Sequence, residues 1–308
     1  MEKRSVQAPA AVIMIRPHNF APNWQTAKDN SFQKSGDGFS GKELAAAAYE
    51  EATSVAKTLE KKGINVHIFE DESSDTPDSV FPNNWFSTHS GGHVAIYPMF
   101  AQNRRRERRY DVIEMLKEQY RVQDIIDYSG LEPDGLFLEG TGAMVLDHID
   151  RVAYVTKSNR ADPVALERFC THFNYEPMAF DACDESGTPV YHTNVLMCIA
   201  TDFVMIGLEM FDDEKRREEI VTRFESSGRQ VITLSNDQIA NFAGNALELQ
   251  SRDGRVLAIS ARAYNVLTDD QKAIIERNTE ILPLEIPTIE LAGGSVRCML
   301  AGVHLLPR

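Results

Sequence analysis

The stretch NWFSTHSGGHVAIYP, Asn84 to Pro98, reads as two short strands folded back on each other at Gly91-Gly92, with an asparagine at the entrance. Asparagine is a poor strand former, so its place there asks for a reason. Hairpins of the same form follow in GAMVLDHIDRVAYVT, VLMCIATDFVMIGL and ALELQSRDGRVLAIS, turning near His148-Ile149-Asp150, at Thr201-Asp202 and at Asp253-Gly254. Short turns between apolar runs are strong hairpin signals. A fifth pair is predicted from the two chain ends, CMLAGVHLL with AVIMI. The residues at the junction before each hairpin are Asn84, Glu139, His192, Asn245 and Cys298, separated by 55, 53, 53 and 53 positions. A fixed period of this size marks a repeat architecture.

The segments between hairpins complete the unit. Five carry helical periodicity: GKELAAAAYEEATSVAKTLEKKG, RRRERRYDVIEMLKEQY, DPVALERFCTHF, DDEKRREEIVTRFESSG and TDDQKAIIERN. Asp162-Pro163 and Thr268-Asp269 supply helix-start signals. Each helix is followed within a few residues by an apolar strand: INVHIF, DIIDY, EPMAF, QVITLS and EILPLEI. The expected fold is α/β, a hairpin-helix-strand (ββαβ) unit repeated five times about an axis, as one domain over residues 1–308. Such an arrangement brings the five junctions to one end of the molecule, into one pocket. Residues 17–41 break the pattern and are expected to form a lid, since long structureless loops commonly cover binding sites. Trp24, within it, packs either on substrate or on the lid itself.

Composition narrows the function classes. The chain has 308 residues, 43% hydrophobic and 25% charged, and a net charge of −14. That charge argues against nucleic-acid and anionic-membrane partners, which need a basic face. The basic run RRRERR, Arg104 to Arg109, is expected to be the solvated start of a helix. No apolar run is long enough to span a bilayer, and the first dozen residues lack a signal-peptide core. Cys170, Cys183, Cys198 and Cys298 have no CxxC spacing, so neither a disulfide framework nor a zinc site is expected. His89 and His93 flank a turn with no third ligand in sight, and read as structural. A cytoplasmic protein without metal or organic cofactor follows as the expectation. Its partner is a small molecule; a homodimer is compatible with a sequence that fixes no oligomeric state.

Three of the junction residues carry chemistry. Cys298 is a nucleophile if it reaches the thiolate. His192 can give a proton to a leaving amine and take one from water. Glu139 can hold that imidazole in one tautomer. A lone cysteine or histidine is more often structural; equal spacing in a repeat lifts these three above that reading. Gly293-Gly294 permits a tight turn ahead of the cysteine.

These residues resemble the guanidine-group-modifying superfamily, whose fold is the five-bladed α/β propeller, or pentein. GGSVRCM is similar to its nucleophile segment (Cys298), LEGTG to its glutamate segment (Glu139), HTN to its His-x-Asp (His192) and GNAL to the start of its fourth blade. TKSNRA resembles the segment whose arginine holds the substrate carboxylate, which points to Arg160. Arginine-directed members carry aspartates where Asn84 and Asn194 stand here. Without those carboxylates a guanidinium loses charge-assisted hydrogen bonds, each worth roughly 1.5–3 kcal/mol. An amide offers an acceptor and donors that match a neutral ureido group. The resemblance is closest to the citrulline-hydrolysing branch, including FPNNWF.

The implied reaction is hydrolysis of citrulline to ornithine, carbon dioxide and ammonia through a covalent thiocarbamate on Cys298. The thiolate would lean on His192 as imidazolium, and on Arg297. Asn84 and Asn194 orient the ureido group and Arg160 pairs with the α-carboxylate. Asn83 and Phe81 complete the expected substrate-binding set, although Phe81 and Phe86 can equally fill the interior. Rival readings are a deiminase, dihydrolase or amidinotransferase acting on arginine or a modified arginine, and a catalytically silent pentein that binds an amino acid.

Overall fold

A computed structural model describes residues 5–27, 30–34 and 40–308. Its strands form five sheets of three strands each. In every sheet the central strand pairs antiparallel with one neighbour and parallel with the other. The central strands are Ala11–Pro17, His93–Ile96, Val152–Thr156, Phe203–Ile206 and Arg255–Ser260. The antiparallel neighbours, here called the inner strands, are Phe86–His89, Met144–Asp147, Met197–Ile199, Leu247–Gln250 and Ala301–Gly302. The first sheet is closed from both chain ends, as expected: Val12 pairs with Gly302 and Ile13 with Ala301.

The parallel pairing requires a crossover, and helical segments supply it. Gly41–Lys61 starts at a capping box between Ser40 and Glu43 and buries Leu44, Ala48, Ala52, Val55 and Leu59 on one stripe. Fully burying one such leucine contributes about 2 kcal/mol. Pro163–Phe173 starts with Asp162 accepting from the backbone N–H groups of Val164 and Ala165. Asp269–Ile275 starts at a Thr268–Gln271 capping box.

The second helical segment corrects an expectation. The helix is Tyr110–Gln119, and Asn103–Glu107 is a separate 3-10 turn. Within RRRERR, Arg104 and Glu107 are buried, at 2% and 3% exposure, so the run is not a solvated helix start. The cause is pairing: the Glu107 carboxyl meets the Arg104 guanidinium across a tight turn, although burial still pushes that carboxyl up to about 8.

All five inner strands line one cavity. The junction residues that precede them therefore meet near it. Among the described residues no helix is long and apolar enough to cross a membrane.

Candidate active site

Each junction is a tight turn leading into an inner strand. Asn84 ends the 3-10 turn Pro82–Asn84, Glu139 precedes the short helix Gly140–Ala143, and His192 precedes the 3-10 turn Thr193–Val195. Cys298 lies in the short helix Val296–Met299. Asn245 follows the turn at Phe242, whose carbonyl its N–H meets at 2.8 Å. The turns are held by cross-sheet bonds. Thr193 Oγ1 donates to Ala143 O at 2.6 Å and accepts from Thr156 N at 2.8 Å, which fixes the backbone beside His192. Two glycines allow the close approach. Gly140 has φ +47°, in the left-handed region, and a Cβ there would strike the Asn83 carbonyl. A Cβ on Gly142 would strike the Asn84 amide and come within 2.9 Å of His192 Nδ1.

Amide groups surround the sulfur. Asn194 Nδ2 donates to Cys298 Sγ at 3.2 Å and Asn245 Nδ2 at 3.3 Å. Asn245 also donates to Asn194 O at 3.2 Å and accepts from Arg297 N at 3.0 Å, so it ties two junctions together. Asn194 Oδ1 is buried and has no hydrogen-bond partner among the described residues. Cys298 is itself buried, at 4% exposure.

His192 Nε2 meets Glu139 Oε2 at 2.8 Å, leaving Nδ1 on the side of the ring that faces Gly142. Glu139 Oε1 accepts from Phe100 N at 3.0 Å. Burial would raise the Glu139 carboxyl, but Arg160, His192 and Arg104 outweigh it and hold it down at about 2. Their guanidinium groups lie 3.7 Å (Arg160) and 3.8 Å (Arg104) from Oε2. Burial pushes His192 below its ordinary value, more than Glu139 raises it. Desolvation thus disfavours the charged ring in the free protein, and Glu139 works against it.

Arg104 is the residue that sequence reading missed. Its guanidinium forms a two-point contact with Glu107, with Nε–Oε1 at 3.0 Å and Nη2–Oε2 at 2.9 Å, and lies 3.6 Å from Asp78. With the Asn84 amide oxygen turned toward it, Arg104 donates from Nη1 at 2.9 Å and Nη2 at 3.1 Å; Asn84 Nδ2 then donates to Asn83 Oδ1 at 3.2 Å. The oxygen of Asn84 is thus taken by a fixed cation of the protein, not left open as expected. Burial opposes the Arg104 charge, but Glu107, Asp78 and Glu139 together hold it protonated. Burial pushes Asp78 up against the pull of Arg104, and its Oδ1 has no partner among the described residues. Asp78 gave no periodic signal. The glutamate three residues after Arg104, within an otherwise basic run, was the available hint of a pair.

The other expected residues fall nearby. Arg160 is buried and lies over the Tyr191 ring, 4.7 Å from its centroid. The Phe81 ring packs against Gly294, so closely that a Cβ on Gly294 would lie 2.6 Å from it. Asn83 Nδ2 is buried and has no partner among the described residues. Phe86 belongs to a core cluster with Trp85 and Ile13.

Of the expected lid, residues 28–29 and 35–39 lie outside the described residues. The remainder packs beside the site residues. Asn23 Nδ2 donates to Asp78 Oδ2 at 2.8 Å and Asn30 Nδ2 to Ala292 O at 3.2 Å. Phe32 packs on Tyr191 and Phe242. Trp24 is 77% exposed, so it does not pack into the lid.

No curated protein sequence matches this chain. Among solved structures, the N-terminal domain of ArgZ, a cyanobacterial arginine dihydrolase bound to substrate, is similar at 17% identity and TM-score 0.73, over 95% of this chain and 97% of that one. Unliganded AgrE is similar at 18% identity and TM-score 0.75 over 97% of this chain, which spans 40% of AgrE. A Pseudomonas aeruginosa DDAH complexed with citrulline is similar at 13% identity and TM-score 0.60, over 98% and 100% of the two chains. Identities this low establish a shared fold. The family model for eukaryotic N,N dimethylarginine dimethylhydrolase matches residues 16–305. Nearly the whole chain is matched, and its strands form five three-stranded sheets: it belongs to the N,N dimethylarginine dimethylhydrolase family, within the pentein superfamily of guanidine-modifying proteins.

Proposed function

We propose that this protein is a cysteine hydrolase that cleaves a C–N bond of a ureido amino acid, citrulline first, giving ornithine, carbon dioxide and ammonia. One observation carries the reading: the groups hydrogen-bonded to Cys298 Sγ are amides, and Arg104 already occupies the oxygen of Asn84. A cationic guanidinium would have to enter beside a fixed cation, whereas a neutral ureido group would not. Unpartnered buried polar atoms at a site point to a ligand. Asn194 Oδ1 suits a ureido N–H, Asn83 Nδ2 a ureido carbonyl, and Asp78 Oδ1 an α-ammonium group. Arg160 is assigned the α-carboxylate.

Neutral His192 takes the thiol proton as Sγ bonds to the ureido carbon, then passes it to the departing nitrogen as the C–N bond breaks. The thiocarbamate is cleaved by a water that His192 deprotonates, which frees the thiol. Glu139 holds the ring and its tautomer. The five sheets are read as the blades of one five-bladed propeller, a single catalytic domain, in a reducing cytoplasm that keeps the thiol usable.

A second reading is supported by the family match: hydrolysis of a methylated arginine. Incubation with citrulline, arginine and dimethylarginine, scored for ornithine and for citrulline, separates the two. Ornithine from citrulline, lost roughly 10³-fold in Cys298→Ala, is the expected result. Turnover of a guanidine with citrulline untouched overturns the proposal.

A further inference from the structure

The cavity between the five inner strands measures about 40 Å³. Roughly 10–15 Å³ of such volume holds one water, so the space takes a few waters or one small ion. Its polar lining includes Arg297, His148, His304, Cys198, Thr88 and Thr141, with no carboxylate. The hydroxyls are committed elsewhere: Thr88 Oγ1 donates to Gly302 O and Thr141 Oγ1 to Asn83 O. Arg297 Nη1 donates to Leu300 O at 3.1 Å, and Arg297 has no carboxylate partner among the described residues. The two histidine rings stack at 3.9 Å. Burial, and secondly the Arg297 charge, push His304 down to about 4; burial and the charges around it push His148 well down. The lining is thus neutral apart from one cation.

Arg297 is half-buried, and a guanidinium that lines an enclosed cavity and meets no carboxylate there is short of counter-charge on that side. Waters can solvate it without neutralising it. We propose that this cavity is a binding site for one small monovalent inorganic anion, of chloride size class, held by the Arg297 guanidinium. His148 and His304 also line a surface recess of about 520 Å³ on the neighbouring face. Their stacked rings form the partition that an ion from solvent crosses. Arg297 adjoins Cys298, and that sulfur favours the guanidinium charge; occupancy of the cavity does not depend on which substrate is cleaved.

Thermal unfolding of the full chain tests this, with chloride exchanged for gluconate at constant ionic strength. Above half-saturation the midpoint is expected to rise by about 2 °C per tenfold chloride. Bromide and nitrate should act alike, and sulfate and gluconate, too large for the cavity, should not. Bicarbonate saturating at lower concentration than chloride would name it as the occupant of the same site. Arg297→Met should abolish the dependence and Arg297→Lys retain a weaker one. If Arg297→Met does not fold, the wild-type anion series decides. A midpoint indifferent to the anion, or an unchanged chloride dependence in Arg297→Met, overturns the proposal.

Discussion

Asn194 reaches across the centre of the molecule to donate its amide N–H to Cys298 Sγ at 3.2 Å, over 104 positions of sequence. A carboxylate in its place would oppose the thiolate instead of supporting it. Asn194→Asp should therefore slow alkylation of Cys298 near neutral pH and lower citrulline turnover, each at least about tenfold. The pH dependence of iodoacetamide alkylation checks it; an unchanged profile would detach Asn194 from the nucleophile.

Arg104 holds together Asp78, Glu107 and Glu139, all at or below 3% exposure. Arg104→Met leaves three buried carboxyls without that cation and should cost about 3–5 kcal/mol at neutral pH. Glu139 keeps Arg160 and His192, whereas Asp78 and Glu107, already raised by burial, rise further, so the loss is largest at and above neutral pH and shrinks as pH falls toward the ordinary carboxyl range. Urea unfolding at pH 7 and pH 5 measures both parts.

Gly142 has no room for a methyl group between Asn84 and the His192 ring. Gly142→Ala should displace the imidazole from Glu139 and cut kcat by about 10²-fold, the usual effect of an ångström-scale misplacement. Secondary structure, read by circular dichroism, should survive. Wild-type kcat in this variant would show that the ring need not sit where it does.

His304 is pushed from 6.5 down to about 4, by burial first and then by Arg297. In the unfolded chain it binds its proton near 6.5, so folding is opposed increasingly as pH falls from there toward 4. The loss from this one residue is up to about 3 kcal/mol. His304→Gln should flatten the decline over that window, as seen in urea midpoints at pH 7, 5.5 and 4.5. Below it, Glu139, held down at about 2, adds stability that is lost as pH drops from about 4.5 toward 2.

Much of this was legible in the chain. Polar residues recurring every 53 to 55 positions ahead of hairpins gave the repeat; of those residues Asn245 meets the Cys298 sulfur and His192 meets Glu139. Gly41–Lys61 and Pro163–Phe173 were visible because their apolar stripes and caps are local features. Arg104 was misread for a related reason. A run of like charges normally marks a solvated surface, and nothing within a few residues reveals that Asp78 and Glu139 wait on other segments. Asn84 kept its place but not its expected freedom, since the cation that takes its oxygen arrives from 20 positions away.

The sequence by itself determined the order of strands and helices, the period, and which side chains stand at the turns, because periodicity, capping and turn chemistry act over a few residues. Only the tertiary structure decided the electrostatics and partners at the centre: a His192 whose charged form burial disfavours, an Asn84 bound to Arg104, and an Arg297 facing a cavity without a carboxylate. Desolvation and Coulomb interactions depend on distance through space, and in this fold the groups that set them lie tens to hundreds of residues apart along the chain.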